Sequence, residues 1–209
     1  MKIAVIGSGN VGGALGRRWA EGGHDIVFGS RDPEGQKVQA LVKSIGSKAC
    51  ATSLADAAKW GEVIVLATPW SAAQQSIQAM GSLNGKILID TNNPLGPNFT
   101  LSVGHTTSAA EQVAGWAPGA RVVKAFNVTG SGNMSNPDYG GQKLSMFICG
   151  DDAAAKAQVA HLAEELGFDV VDCGALVMAR TLEPVAHLWV SLAYAQWLGP
   201  NFGFKLLKR

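Results

Sequence analysis

Met1-Lys2-Ile3-Ala4-Val5-Ile6-Gly7-Ser8-Gly9-Asn10-Val11-Gly12 is the stretch that decides the fold. Ile3 to Ile6 is an unbroken apolar run, the pattern of a strand buried on both faces. It breaks into Gly7-x-Gly9-x-x-Gly12, and Ala14-Leu15-Gly16-Arg17-Arg18-Trp19 continues at helical spacing. Strand, glycine turn and helix in that order are the context a dinucleotide fingerprint requires. Gly7 permits a tight turn, Gly9 lets a pyrophosphate approach the backbone, and Gly12 lets the helix pack closely on the strand. Amides at the helix N-terminus then point at the anion, aided by the helix dipole. A plain structural turn is the alternative in a chain with 26 glycines, and the flanking strand and helix argue against it.

The next strand, His24-Asp25-Ile26-Val27-Phe28-Gly29, ends in Ser30-Arg31-Asp32. An NAD-binding version would end in a carboxylate for the ribose 2′-hydroxyl. Here Arg31 can grip a 2′-phosphate bidentately and Ser30 can donate to the same group, which favours NADP. Two other readings stand beside this one. Arg31 could pair with Asp32 or Glu34 at the surface, or Asp32 could be the ribose acid, although it lies beyond the tip and precedes Pro33.

Further along, Pro33 is expected to start a helix running to Ile45, followed by a short strand at Lys48–Cys50. Ser53 caps a helix, Val63–Ala67 is a buried strand ending in Thr68-Pro69-Trp70, and Ser71 opens another helix. Lys86–Asp90 is the fifth strand, with Thr91-Asn92-Asn93-Pro94 at its tip. Ser108-Ala109-Ala110-Glu111 is a capping box for a helix to about Trp116, and Arg121–Phe126 is the sixth strand, with Asn127 at its tip. This alternation predicts an α/β fold, a doubly wound parallel Rossmann sheet. Residues 1–128 form the nucleotide-binding domain, and 129–209 form a small C-terminal α/β part for substrate and dimerisation. Within that part Thr129–Gln142 is expected as a mobile loop, and Leu144–Cys149 and Asp169–Asp172 as strands around a helix capped by Asp151. Met178 to Leu198 is expected as a long apolar helix that makes a homodimer contact.

Composition narrows the partners. The 209 residues are 47% hydrophobic and carry a formal charge of +1 with no basic stripe, so neither nucleic acid nor an anionic membrane is an expected partner. Cys50, Cys149 and Cys173 lie far apart without metal-ligand spacing, which fits buried thiols in a reducing cytoplasm, with neither a disulfide framework nor a metal site. Val185 to Leu198 is too short and too polar to span a bilayer, and the chain enters its first strand directly, without a signal peptide. A soluble cytoplasmic protein is the expectation.

In such sheets ligands sit beyond the carboxyl ends of the strands, so Ser30-Arg31, Thr68-Pro69-Trp70 and Thr91-Asn92-Asn93-Pro94 matter most. Trp70 could fill core or wall off a flat heterocycle. The fingerprint, Gly29-Ser30-Arg31, Thr68-Pro69-Trp70, Val122-Val123-Lys124-Ala125-Phe126-Asn127, Cys149-Gly150-Asp151-Asp152 and Arg180-x-x-Glu183 occur in family order. With these the chain resembles the deazaflavin (coenzyme F-420)-dependent NADP oxidoreductases over essentially its whole length. It is also similar to the cytoplasmic reductase domain of the six-transmembrane metalloreductases, where Lys-x-Phe-Asn recurs. The resemblance implies hydride exchange between NADPH and a planar flavin-like ring, deazaflavin or flavin. It also implies that Ser8, Asn10 and Val11 lie at the pyrophosphate and Ser30 and Arg31 at the 2′-phosphate. Thr68, Pro69, Trp70, Ala125 and Asn127 would line the nicotinamide. Some deazaflavin enzymes carry a His where this chain has Asn127, which bears on the second substrate and leaves NADPH untouched.

Hydride transfer between stacked rings needs orientation more than an acid or base. The sequence fits, since no acid–base set stands out: His24 and His161 are expected at the surface, His105 in a loop and His187 in a helical core. Tyr139-x-x-x-Lys143 has the spacing of a short-chain dehydrogenase pair, but two glycines intervene. Arg180 and Glu183 are spaced for an intrahelical ion pair; alternatively Arg180 faces the pocket and, with Trp70 and Asn127, receives the substrate. The rival functions are a dehydrogenase or imine reductase of a small metabolite, akin to pyrroline-carboxylate reductases, and a non-catalytic NADP-binding redox sensor.

Overall fold

The computed structural model describes all 209 residues. β1 (Lys2–Ile6) leads through α1 (Asn10–Glu21) to β2 (Asp25–Gly29), and α2 (Gln36–Ile45) leads on to β3 (Ala49–Thr52). The alternation continues with α3 (Leu54–Trp60), β4 (Val63–Leu66), α4 (Trp70–Met80), β5 (Ile87–Asp90), α5 (Ala109–Trp116) and β6 (Arg121–Lys124). A short helix α6 (Ser131–Ser135), a hairpin of β7 (Asp138–Tyr139) and β8 (Gln142–Lys143), then β9 (Ser145–Gly150), α7 (Ala153–Glu165), β10 (Asp169–Asp172) and α8 (Ala179–Val190) complete the chain's elements.

Eight strands form one sheet in the order β3-β2-β1-β4-β5-β6-β9-β10. Alternating side chains of β1 serve two cores. Ile3 and Val5 pack with Leu15, Trp19 and Phe28 on one face, while Ala4 and Ile6 pack with Leu54, Leu66 and Ile77 on the other. Helices on both faces are why β1, β4 and β5 read as continuous apolar runs. Each such aliphatic side chain contributes about 1.5–3 kcal/mol on burial. Ser53 accepts from the Asp56 amide, Ser108 from Glu111 and Asp152 from Ala155, so three helix starts carry side-chain caps. The turn Asp32–Gly35 precedes α2, so that helix starts at Gln36 and not at Pro33.

Three expectations change. First, the sheet is parallel from β3 to β6, but β9 runs antiparallel to β6 through Val123↔Gly150 and Lys124↔Cys149. The link from Ala125 to Leu144 holds only a five-residue helix and a hairpin, with no crossover helix to carry the chain back to the start of the sheet. Second, Thr129–Gln142 is not a loop throughout. Asn133 and Met134 are buried, and Asn133 donates to Thr129 Oγ1 (2.8 Å) and the Phe202 carbonyl (2.7 Å) while accepting from the Tyr139 hydroxyl (2.7 Å). Tyr139 and Lys143 therefore stand on a hairpin and share no helix face.

Third, the long last helix is present but is not apolar. α8 ends at Val190 in a five-residue π turn, Ser191–Ala195, and carries Arg180, Glu183, Pro184 and His187. Its buried stripe is Ala179, Leu182, Glu183, Ala186 and Trp189, while Leu188 stands outside. Beyond it the tail turns back, with Phe202 stacked on Trp189 and the Phe204 carbonyl accepting from the Ser145 amide at 2.9 Å. Of the histidines, His161 is exposed, but His24 is buried with Nε2 2.8 Å from Glu165 Oε2, and His187 is only half-buried. No helix is long and apolar enough to cross a membrane.

Candidate dinucleotide cleft at the carboxyl edge of the sheet

The chain leaves β1 for β2 on one side, while β4 lies on the other, so the strand order reverses at the end of β1. A cleft of about 220 Å³ opens there, lined by Ile6, Gly7, Ser8, Gly9, Gly29, Ser30, Arg31, Leu54, Ala67, Thr68, Pro69, Ala72 and Ser76. This is the switch-point crevice of an open α/β sheet. Gly7 sits at φ +110°, and a Cβ there would lie 2.4 Å from the Ala67 carbonyl oxygen. On Gly12 a Cβ would come within 2.0 Å of the Gly7 carbonyl oxygen, so that glycine sets how closely α1 meets the strand. Around Gly9 a Cβ would meet nothing within 4 Å, which leaves the cleft side of the turn open.

Asn10, Val11 and Gly12 form the first turn of α1, where amides have no intrahelical acceptor. No side chain caps this turn, and no acidic residue stands in it. The Thr68 hydroxyl oxygen is buried without a hydrogen-bond partner at the same cleft. Uncapped amides, an open glycine and an orphaned hydroxyl fit an anionic ligand that makes the missing contacts. Across the cleft Arg31 is exposed and forms no ion pair with Asp32 or Glu34. The Asp32 carboxylate is folded over its own turn, close enough that a Cβ on Gly35 would sit 2.7 Å from Oδ2. Ser30 is engaged locally: its hydroxyl donates to the Asp32 carbonyl (2.9 Å) and accepts from the Asp32 amide (3.1 Å).

The remaining predicted residues stand nearby or elsewhere. Trp70 opens α4 and stacks on Trp116 of α5, with centroids 5.3 Å apart, so it is half-buried beside the cleft rather than lining it. Ala125 is buried at the end of β6. Asn127 is 3% exposed; its Nδ2 donates to Asn93 Oδ1 (3.2 Å) and the Leu182 carbonyl (3.3 Å), and Asn93 Nδ2 donates to the Asn127 carbonyl (2.8 Å). Because Nδ2 faces two acceptors, the amide orientation follows, and Oδ1 is left buried without a donor.

The Arg180–Glu183 pair does not form. Arg180 instead holds Glu111 bidentately, Nε to Oε2 at 2.9 Å and Nη2 to Oε1 at 2.6 Å, and its guanidinium is absent from the cleft lining. The hydrogen bond from Arg180 holds the Glu111 carboxyl below the usual carboxylate range. Glu183 is fully buried at the start of α5, with Oε2 accepting from the Ala109 amide (2.8 Å) and Oε1 from Ala110 (3.1 Å). Oε1 also lies 2.9 Å from Lys124 Nζ, which in turn donates to Asp90 Oδ2 (2.8 Å) and the Asn92 carbonyl. Burial works against the Lys124 charge, but Asp90 and Glu183 outweigh it and hold the ammonium above its ordinary pKa.

The sequence profile of the family described as "NADP oxidoreductase coenzyme F420-dependent" matches residues 2–94. The F420-dependent NADP reductase of Methanothermobacter marburgensis is 31% identical over 207 residues, covering 92% of each chain. The chain belongs to the F420-dependent NADP reductase family. Metalloreductase STEAP3 of Rattus norvegicus is 32% identical over 184 residues, covering 88% of this chain, which spans only 36% of that protein. A crystal structure from Arthrobacter sp. FB24, assigned to the F420-dependent NADP reductases, superposes with a TM-score of 0.92 at 35% identity and covers 100% of both chains.

Every residue lining the cleft falls inside the 2–94 segment that the F420-dependent NADP reductase profile matches. The Lys124–Asp90–Glu183 cluster and the Asn93–Asn127 clasp were not anticipated. One signal existed: Asp90 ends the run Ile87-Leu88-Ile89, and Lys124 follows Val122-Val123 in a strand that otherwise reads as buried. Buried charges need partners, and sequence alone did not reveal which.

Proposed function

We propose that this chain is an NADPH-dependent reductase of the F420-dependent NADP reductase family, passing a hydride between NADP(H) and a planar flavin-like acceptor. The observation that carries the reading is the cleft. An uncapped helix start and an open Gly9 face Arg31, which has no protein partner. Gly7, Ser8, Gly9, Asn10, Val11 and Gly12 would hold the pyrophosphate, and Ser30 and Arg31 the 2′-phosphate. Ser30 would do so after giving up its bond to Asp32, or by holding Asp32 aside. Thr68 and Pro69, with Ala125 and Asn127 beyond them, would form the nicotinamide end. Trp70, already stacked on Trp116, borders the acceptor's approach. When bound, NADPH supplies the hydride from C4 of its ring. The chain's part is to orient that ring and exclude water, which needs no titrating acid or base. Arg180, clasped by Glu111, is not assigned to substrate.

In this reading residues 1–128 hold the dinucleotide and 129–209 complete the acceptor side. The protein works in the cytoplasm as a homodimer, joined where Leu188 on α8 and Tyr194, Trp197 and Leu198 after it stand exposed. Stopped-flow NADPH oxidation with deazaflavin, FMN and a ferric chelate tests the function. Rapid turnover is expected with a planar ring acceptor. Tight NADPH binding without oxidation by any acceptor would replace the enzyme with a dinucleotide sensor.

A further inference from the structure

Lys124 is fully buried, and its ammonium has three donors and three acceptors around it: Asp90 Oδ2, Glu183 Oε1 and the Asn92 carbonyl. The two carboxylates are satisfied as completely. Asp90 Oδ1 accepts the amide (3.0 Å) and side-chain Nδ2 (2.9 Å) of Asn92, and Glu183 accepts the Ala109 and Ala110 amides. Apolar side chains of similar volume would fill such a space at no loss of stability. What they would not do is tie four elements together at one point. The cluster joins the tips of β5 and β6 to the start of α5 and to the buried face of α8.

Three residues beyond Asp90 and three beyond Lys124 stand Asn93 and Asn127, joined by their reciprocal amide bonds. Leu182, whose carbonyl takes the other Asn127 N–H, directly precedes Glu183. Between Lys124 and Asn127 the backbone makes an unusual step, because Phe126 is buried at φ +62°. Its ring lies edge-on to Trp19 and Phe168, and its amide meets Met146 Sδ at 3.2 Å. A left-handed phenylalanine persists only where its surroundings hold it. Here the ion cluster clamps the chain on one side of the step and the amide clasp on the other.

We propose that Lys124 is a positioning residue, whose buried cluster with Asp90 and Glu183 fixes the Asn93–Asn127 clasp against α8 and thereby the ring end of the cleft. This rests on the cleft being the NADPH site. The adenosine end is anchored on β1, α1 and β2, outside the cluster, so the two ends respond differently to its removal. The triple variant Asp90→Asn, Lys124→Met, Glu183→Gln removes every charge at once. Glu183→Gln alone leaves a neutral Lys124–Asp90 pair but disturbs the tie to α8, and it carries the same expectation should the triple variant fail to fold.

In the ligand-free protein, side-chain amide exchange of Asn127 by NMR is expected to quicken at least tenfold in the variants. NADPH affinity and KM should stay within about threefold of the parent, while kcat for hydride transfer falls at least tenfold, the scale on which misplacement of a reacting ring acts. Unchanged amide exchange, unchanged kcat, or a kcat that falls only in step with NADPH affinity would overturn the proposal. If the parent itself oxidises no NADPH while the exchange difference is present, the functional reading falls and the positioning role stands.

Discussion

At the scale of single residues, the turn glycines after β1 and the Arg180–Glu111 ion pair each act through contacts that can be named atom by atom. The turn made by Gly7, Gly9 and Gly12 was legible from their spacing, because it depends only on these residues and their neighbours. Arg180 and Glu183 had good intrahelical spacing, yet Glu183 faces inward to a buried lysine and Arg180 outward to Glu111. Spacing on one helix cannot reveal that competition, since both winning partners come from distant segments. His24 was misplaced for the same reason, its acceptor Glu165 being far along the chain. The Arg180–Glu111 pair has a pH signature. Glu111 titrates below its ordinary 4.5 in the folded state, so its stabilisation is complete above that value and is lost as pH falls through the depressed folded pKa. Glu111→Gln should therefore lower Tm at pH 7, with the gap to the parent closing below pH 4.5 in thermal melts. A gap that persists undiminished at acid pH would show that the carboxylate charge is not what matters.

Among elements, those defined by their own caps and periodicity came through: the box at Ser108–Glu111 starts α5, which ends at Trp116. The α6–hairpin segment did not, because Gly, Asn and Ser there signal turns, and the order comes from Asn133 joining Thr129, Tyr139 and Phe202. α8 was read as apolar because Leu192, Ala193 and Ala195 carry the apolar pattern past Val190 into the π turn, although Arg180, Glu183 and His187 interrupt it. The β1–turn–α1 unit allows two alanine substitutions to be set against each other. Gly12→Ala places a methyl on the Gly7 carbonyl and should cost about 1–3 kcal/mol, a Tm loss of roughly 2–12 °C. Gly9→Ala touches nothing in the protein, so Tm should hold while NADPH affinity falls at least about tenfold, close to 1.4 kcal/mol. If Gly9→Ala bound NADPH as well as the parent, the open side of the turn would not be where the phosphates lie.

For the molecule as a whole, the six-stranded parallel half follows from alternation of apolar runs and helices, which fixes both the layer order and the crevice. The antiparallel addition of β9 and β10 was not legible, because strand direction depends on the path of the Ala125–Leu144 link and not on the pattern of either strand. The site followed the same division. In the proposed site the phosphate end would rest on local motifs within residues 2–94, whereas the ring end would rest on β5, β6 and α8, which buried charges and amides tie together. Fluorescence titration with NADPH and NADH, on the parent and on Arg31→Ala, tests whether the guanidinium at the tip of β2 holds the 2′-phosphate. A charge-assisted contact to the 2′-phosphate predicts NADPH binding at least about tenfold tighter than NADH, with the preference reduced to about twofold in Arg31→Ala. Equal affinity for the two dinucleotides in the parent, or a preference that survives loss of the guanidinium, would contradict it.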